Sequence, residues 1–512
     1  MKRGLVSLLI VLLALAGFGL SGSMQPRLIE LRGDITPGAA DPLENAPPLV
    51  AFSTVALGGF RGIIADILWL RASRLQSEGR FFELVQLANW ITRLEPRFPT
   101  VWAYQAWNLA YNISVLFSED EDRWRWVQHG IRLLRNDAIR YNPGEAILYW
   151  ELGWLFSHKI GQDLDQSHRH YKAELARRMD LLLPGGEARL DDLLAAPTRT
   201  DDLRADPAVD DLIQTLRREG HEPLTAAFLK RQQADPALAA RLAEAPGGPA
   251  LLAFLRRREL EQVERMNLAH LADVDARFGP LDWRIAHSHA IYWAWRGMPH
   301  GRGFDLVRLD RMVFQSLVQS FFEGRAFYDI EGNLAPSANL DLLPRVLEAL
   351  DRAVENHPDI PSMHDARRNF MGQAIQALYM YHRTADARSL YNRMIGHHPE
   401  SAHPRGLEGF VVDAMLGERL DDIGRREAIA MVEGLLSQSF VWYALGDEAR
   451  AAGLSEMAAQ TWNAFMARLH PGEHTERVGL PPLPQLRRQA LQQLLDADLS
   501  PAIRERLETL VP

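Results

Sequence analysis

The chain has no cysteine in its 512 residues. That excludes disulfides, thiolate metal sites, cysteine nucleophiles and lipid attachment at an N-terminal cysteine, and it leaves the compartment open. A basic excess is missing too. Net charge is -9, with acidic and basic residues interspersed. Backbone binding to nucleic acid needs a basic stripe, so nucleic acid is excluded as the main partner. Hydrolase signatures are also missing: there is no Gly-x-Ser-x-Gly and no His-Glu-x-x-His. Nothing in the sequence calls for a cofactor.

What is present starts at the N-terminus. Lys2 and Arg3 precede an unbroken apolar run from Leu5 to Leu20, which leads into Ser21-Gly22-Ser23. A helix over that run spans about 24 Å, a little short of the roughly 30 Å hydrocarbon core. It reads as a signal-anchor helix or as a cleaved signal peptide (residues 1–23). In both cases Lys2 and Arg3 stay cytoplasmic and the bulk of the chain lies on the extracytoplasmic side of the cytoplasmic membrane, or is secreted or periplasmic after cleavage. Residues 24–49 are a linker broken by Pro26, Pro37, Pro42, Pro47 and Pro48.

The stretch Leu57–Pro99 sets the pattern for the rest of the chain. Ile63, Ile64, Ile67, Leu68 and Leu75 fall at helical spacing and predict one buried face. Gly79 ends that helix. Phe81, Leu84, Leu87, Ala88, Ile91 and Leu94 mark a second helix, stopped by Pro96. Small Ala72, Gly79 at the turn, Phe81 after it, Ala88 and closing Pro96 resemble a tetratricopeptide repeat, and Tyr149-x-x-Leu152-Gly153-x-x-Phe156 resembles its first-helix signature. Leu84 departs from the usual small residue. Pro96 and Pro143 stand 47 residues apart, and Pro358 and Pro399 stand 41 apart, against roughly 34 in a standard repeat. Together with Gly279–Asp305 the pattern resembles uncharacterised bacterial membrane-anchored proteins of this repeat type, a resemblance that carries no known activity. It implies an all-α, right-handed tetratricopeptide-like superhelix of helical hairpins.

The organisation expected is therefore N-terminal repeats over 50–184, an aromatic-poor inserted helical subdomain over 185–262, a second repeat region over 263–480, and capping helices over 481–512. One small β-hairpin is expected within 326–338, around Glu331-Gly332-Asn333.

Chemistry-bearing residues are few. His158, Asp163, Asp165, His168 and His170 cluster, but their spacing fits no defined metal site and His-x-His on one helix splays its rings apart; no metal site is expected. His287 and His289 share that problem. The basic loop Arg296–Gly303 lacks phosphate-loop spacing. The tryptophans are denser: eight of thirteen lie between Trp69 and Trp154, interleaved with Asn89, Gln105, Asn108 and Asn112. Such residues build core, and they also build a concave face able to hold an extended chain. The expected function is a non-enzymatic scaffold, membrane-anchored or exported, binding a protein or peptide partner through Trp107, Asn108, Tyr111 and Asn112, with Arg61 and Arg296 as further contacts. Two other classes stand beside it. One is an envelope enzyme acting on glycan strands, which requires a cleft carboxylate of raised pKa facing the aromatic groove. The other is a structural subunit of an export or assembly complex. The sequence leaves the oligomeric state open.

Overall fold

The computed structural model describes residues 60–186, 190–328, 334–416, 424–467, 479–497 and 499–510, with four isolated positions nearer the N-terminus. Those isolated positions apart, the apolar run and the proline-rich linker lie outside the described residues, as does the side chain of Arg61. The described chain is all-α with one two-stranded antiparallel hairpin, as expected from the sequence.

The helices start and stop where backbone chemistry dictates. The first is α1 (Phe60–Ser77) and the second α2 (Phe81–Leu94). Between them Gly79 sits at φ +71°, a left-handed conformation that glycine adopts without steric cost. Then come α3 (Pro99–Trp107), α4 (Asp120–Arg132), α5 (Ala146–Trp154) and α6 (His168–Leu182). The aromatic-poor stretch is cut into α7 (Leu190–Ala195), α8 (Thr200–Arg204), α9 (Pro207–Arg218), α10 (Ala226–Ala234), α11 (Pro236–Glu244) and α12 (Gly248–Arg258). Its short helices are capped locally. The Asp206 and Asp235 carboxylates accept from the amides of Ala208 and Ala237, each just after a proline at the first helical position.

Four of these helices run on into π-helical turns. α3 continues through Asn108–Ile113, α4 through Leu133–Ala138, α5 through Leu155–Ile160 and α12 through Glu259–Val263. The remaining helices are α13 (Leu268–Phe278), α14 (Ala286–Gly297) and α15 (Phe304–Glu323), then, beyond the hairpin, α16 (Leu343–Asn356), α17 (Pro361–Met380), α18 (Thr384–His397), α19 (Gly406–Leu416), α20 (Arg425–Leu445), α21 (Glu448–Met466), α22 (Leu483–Leu495) and α23 (Pro501–Glu508). The hairpin pairs β1 (Arg325–Tyr328) with β2 (Leu334–Ser337), Phe327 opposite Ala335.

The chain forms two compact units. Among the described residues the first holds 60–183, 190–274 and 289–313, and the second holds 184–186, 275–288 and those from Phe314 onward. In the first unit α1 buries Ala65, Ala72 and Leu75 against Leu84, Leu87 and Ile91 of α2, with Leu68 and Trp69 at the edge. Ile67, expected on that face, is 60% exposed. The buried stripe runs 65–68/69–72–75, and at about 100° per residue position 67 falls outside it. In the second unit α20 lays down Ala428, Val432, Leu436, Phe440 and Ala444, one residue per turn, against Ala458 and Phe465 of α21 and Leu486, Ala490 and Leu491 of α22. Full burial of each large side chain there contributes roughly 1.5–3 kcal/mol. Among the described residues α20 is the one helix long and apolar enough to cross a membrane, and its buried stripe packs against α21 and α22.

Candidate functional site

The first unit carries an unbroken ladder of aromatic rings that crosses three helices. Trp69 of α1 meets Tyr104 of α3 edge-on at 5.3 Å. Tyr104 stacks on Trp107 at 6.4 Å and Trp107 on Tyr111 at 5.7 Å. The Tyr111 hydroxyl lies 2.9 Å from His158 Nδ1. His158 stacks on Trp154 at 4.4 Å, and Trp154 on Trp150 at 5.5 Å. The Arg308 guanidinium covers Trp150 at 5.5 Å and closes the row. Helical spacing builds it: 104, 107 and 111 on one helix, and 150, 154 and 158 on another, are neighbours three and four apart. Trp107 is 37% exposed and the other rings are half-buried, so one edge of the ladder faces water.

The polar groups around the ladder are perturbed by burial. Glu151, between Trp150 and Leu152 in sequence, has its pKa pushed up by burial to about 7, against a smaller opposing pull from Arg308. Burial, then the Glu151 charge, holds the Tyr111 phenol above its ordinary value. Burial and the neighbouring Lys159 lower His158, so its imidazole is neutral at pH 7. Lys159 sits behind the ladder, 4% exposed along its side chain, 5.0 Å from the Tyr111 ring and 2.6 Å from Asp165. Burial pulls this ammonium down, and the bond and charge of Asp165 only partly restore it. Asp165 also accepts from the Ser167 amide and stands 3.5 Å from Arg123. Burial raises that carboxyl, but Lys159, the Ser167 amide and Arg123 together hold it below its ordinary range.

The residues singled out from sequence divide on this geometry. Trp107 and Tyr111 are in the ladder. Asn112 is half-buried and donates from Nδ2 to Asn108 Oδ1 at 2.8 Å. Asn108 itself is 1% exposed, and its own Nδ2 has no hydrogen-bond partner; it presents almost nothing to solvent. Arg296 donates to the Arg265 carbonyl at 3.0 Å and to the Tyr292 hydroxyl at 3.3 Å, and stacks on Trp293. Those contacts fix it at the end of α14, away from the rings of the ladder. The histidine cluster is dispersed: His158 is a rung, Asp163 pairs with Lys172 at 2.5 Å and His168 at 2.8 Å, and Asp165 is committed to Lys159. His287 and His289 are both buried, and His289 stacks on Phe156. Trp102 and Trp124 fill the first expected role, core, while Trp107 is partly exposed.

A second feature of the same unit is not apparent in the sequence. α4, α6, α10 and the π turns after α4, α5 and α12 line an open pocket of about 800 Å³. At its inner end Arg135 and Arg178 both pair with Glu264, and Arg178 donates to Glu259 at 2.7 Å. Burial raises the Glu264 carboxyl, but the charges and hydrogen bonds of the two arginines outweigh it and leave Glu264 below its ordinary value. The signal that could have found these residues is a charge on an apolar stripe. Arg135 lies between buried Ile131, Ala138 and Ile139, and Arg178 between buried Leu175, Leu181 and Leu182. At the outer edge Glu121, His170 and Glu174 bring one donor atom each within 4.8 Å of one another, a set that can hold a divalent metal ion. Glu174 is already paired with Arg177. Compared with known protein families, with characterised proteins and with solved structures, the chain matches none of them.

Proposed function

We propose that this chain is a non-enzymatic scaffold of the cell envelope, held at the cytoplasmic membrane or exported by its N-terminal segment, that grips an extended apolar segment of a partner protein along the Trp69–Trp150 ladder. The ladder carries the reading: seven rings in van der Waals reach of one another, one edge open to water. Rigid aromatic rings give large contact area at little conformational cost, which is why they anchor interfaces. The buried Lys159–Asp165 pair supports the Tyr111 ring from behind, and Asn112 is held by its hydrogen bond to Asn108. A tetratricopeptide-like arrangement of the helix pairs agrees with this use.

The test is selection of peptides from a random library on the full chain in detergent, then titration of the selected peptides. Trp107→Ala with Trp150→Ala should weaken binding by about 2 kcal/mol or more, a factor of roughly thirty. Peptides that bind the double variant as well as the wild type would remove the ladder from the interface.

Glu151 favours a second reading, an envelope enzyme acting on glycan strands. A carboxyl that is half protonated near neutral pH beside a ring stack suits general acid–base work. Chain cleavage of envelope glycan by the wild type, and none by Glu151→Gln, would establish that reading over the scaffold.

A further inference from the structure

The cavity of the first unit has a composition that its ion pairs alone do not account for. Its floor is apolar: Trp124, Ile131, Phe156, Leu175 and Leu181 are each at most 7% exposed. Its inner charges balance, since Arg135 and Arg178 face Glu259 and Glu264. Its mouth does not balance. Arg177 is matched by Glu174, but no carboxylate pairs with Arg132 or Lys230 among the described residues; the Arg132 guanidinium donates a hydrogen bond to the Gln128 carbonyl of its own helix at 3.3 Å. Two exposed cations thus line a pocket with an apolar floor, and its volume, about 800 Å³, falls in the range of about 300–1,000 Å³ typical of small-molecule sites.

The walls are also unusual. Arg135, Phe156 and Glu259 each lie in a π-helical turn, so three of the four such turns among the described residues converge on this chamber. π turns cost regular hydrogen bonding and are frequent at functional sites. The fourth wall is α10 of the inserted stretch, which supplies Ala226, Lys230 and Ala234.

We infer that this cavity is a binding site for a small amphipathic organic anion, with the apolar body on the Trp124–Phe156 floor and the anionic head between Arg132 and Lys230. Each part answers one chemical feature of the ligand. The floor removes apolar area from water, and the two mouth cations supply the counter-charge that the ion-paired inner arginines cannot. Because the ladder is not involved, this site stands whether or not the scaffold reading does.

The probe is 1-anilinonaphthalene-8-sulfonate, titrated into the full chain beside its uncharged relative N-phenyl-1-naphthylamine. Three variants are compared with the wild type: Trp107→Ala, Arg132→Glu with Lys230→Glu, and Ala234→Trp, the last placing a ring at the mouth. Arg132, Lys230 and Ala234 are all exposed, and unchanged far-ultraviolet circular dichroism and urea midpoints verify that the variants fold. The expected result is a saturable site for the sulfonate whose dissociation constant rises at least tenfold in the charge-reversed variant, while the uncharged probe is bound as before. Ala234→Trp should block both probes and Trp107→Ala neither. Sulfonate affinity unchanged by charge reversal, or by Ala234→Trp, would overturn the assignment. So would loss on Trp107→Ala alone, which would move the probe to the ladder.

Discussion

Replacing Glu151 with glutamine should stabilise the protein at alkaline pH and leave it almost unchanged in mild acid. The folded environment raises the pKa of this carboxyl from its usual 4.5 to about 7. Proton counting gives the sign. Between those two values the folded chain holds a proton that the unfolded chain has released, so the unfolded state gains on the folded one as pH rises. Below about 4.5 both states are protonated and nothing is lost. Above about 7 both are ionised and the full cost of the buried charge is present. At about 1.4 kcal/mol for each tenfold change in proton affinity, that cost reaches about 3 kcal/mol, and some water access to a half-buried group reduces it to about 2–3 kcal/mol. The assay is urea unfolding monitored by tryptophan emission, at about pH 5 and about pH 8.5, for wild type, Glu151→Gln and the exposed control Glu145→Gln. The free-energy gap between wild type and Glu151→Gln should widen by about 2 kcal/mol between the two pH values, with glutamine the more stable at the higher. The control should track the wild type. Parallel stabilities at both pH values would show that Glu151 is well solvated when folded, and the electrostatic account of the ladder would fail with it.

Other contacts give further outcomes. Glu264→Gln leaves Arg135 and Arg178 without the carboxylate they share, and should cost about 3–5 kcal/mol, read by urea unfolding at neutral pH. Because Glu264 is held below its ordinary value, its contribution is complete above about pH 4.5 and is lost on acidification, so the variant should also have a flatter acid limb. Asp165→Asn strips Lys159 and Arg123 of their counter-ion and should cost a similar amount, whereas Tyr111→Phe removes the hydroxyl's contacts with His158, at 2.9 Å, and Trp154 and should cost about 1 kcal/mol. Gly453→Ala drives a methyl carbon into the Met380 carbonyl, where α21 crosses the end of α17. The helices must separate, at about 1–3 kcal/mol or more, and thermal denaturation should show it.

Much of the fold was legible because helix ends are written in glycine and proline. Gly79, Pro96, Pro143 and Pro399 all fall at helix boundaries. The hairpin was legible as alternation around Glu331-Gly332-Asn333, although that turn lies outside the described residues. The ladder was half legible. Tryptophan density pointed to Trp107 and Tyr111, but Trp150, Trp154 and His158 join them only through packing between α3 and α5, and Asn108 turned out to be buried. Periodicity does not say which polar residue on a mixed face meets water. The cavity was not legible at all as a site, because Arg135, Arg178, Lys230 and Glu264 come from four separate stretches.

The π turns carry a consequence for how such a chain can be edited. A π turn accommodates one residue more than the α-helix around it, so it behaves like a single-codon insertion absorbed in place. Deleting one residue within Asn108–Ile113 should therefore be tolerated by the backbone, which would relax to an ordinary helix. The residues on either side of the deletion would keep their facing, because the surplus residue is the one removed. The same deletion in a plain stretch such as α17 has no slack to consume, and would turn the remainder of a core helix by about 100° around its axis. In this protein the positions most forgiving of a lost residue are thus the ones that line its chamber and its ring stack.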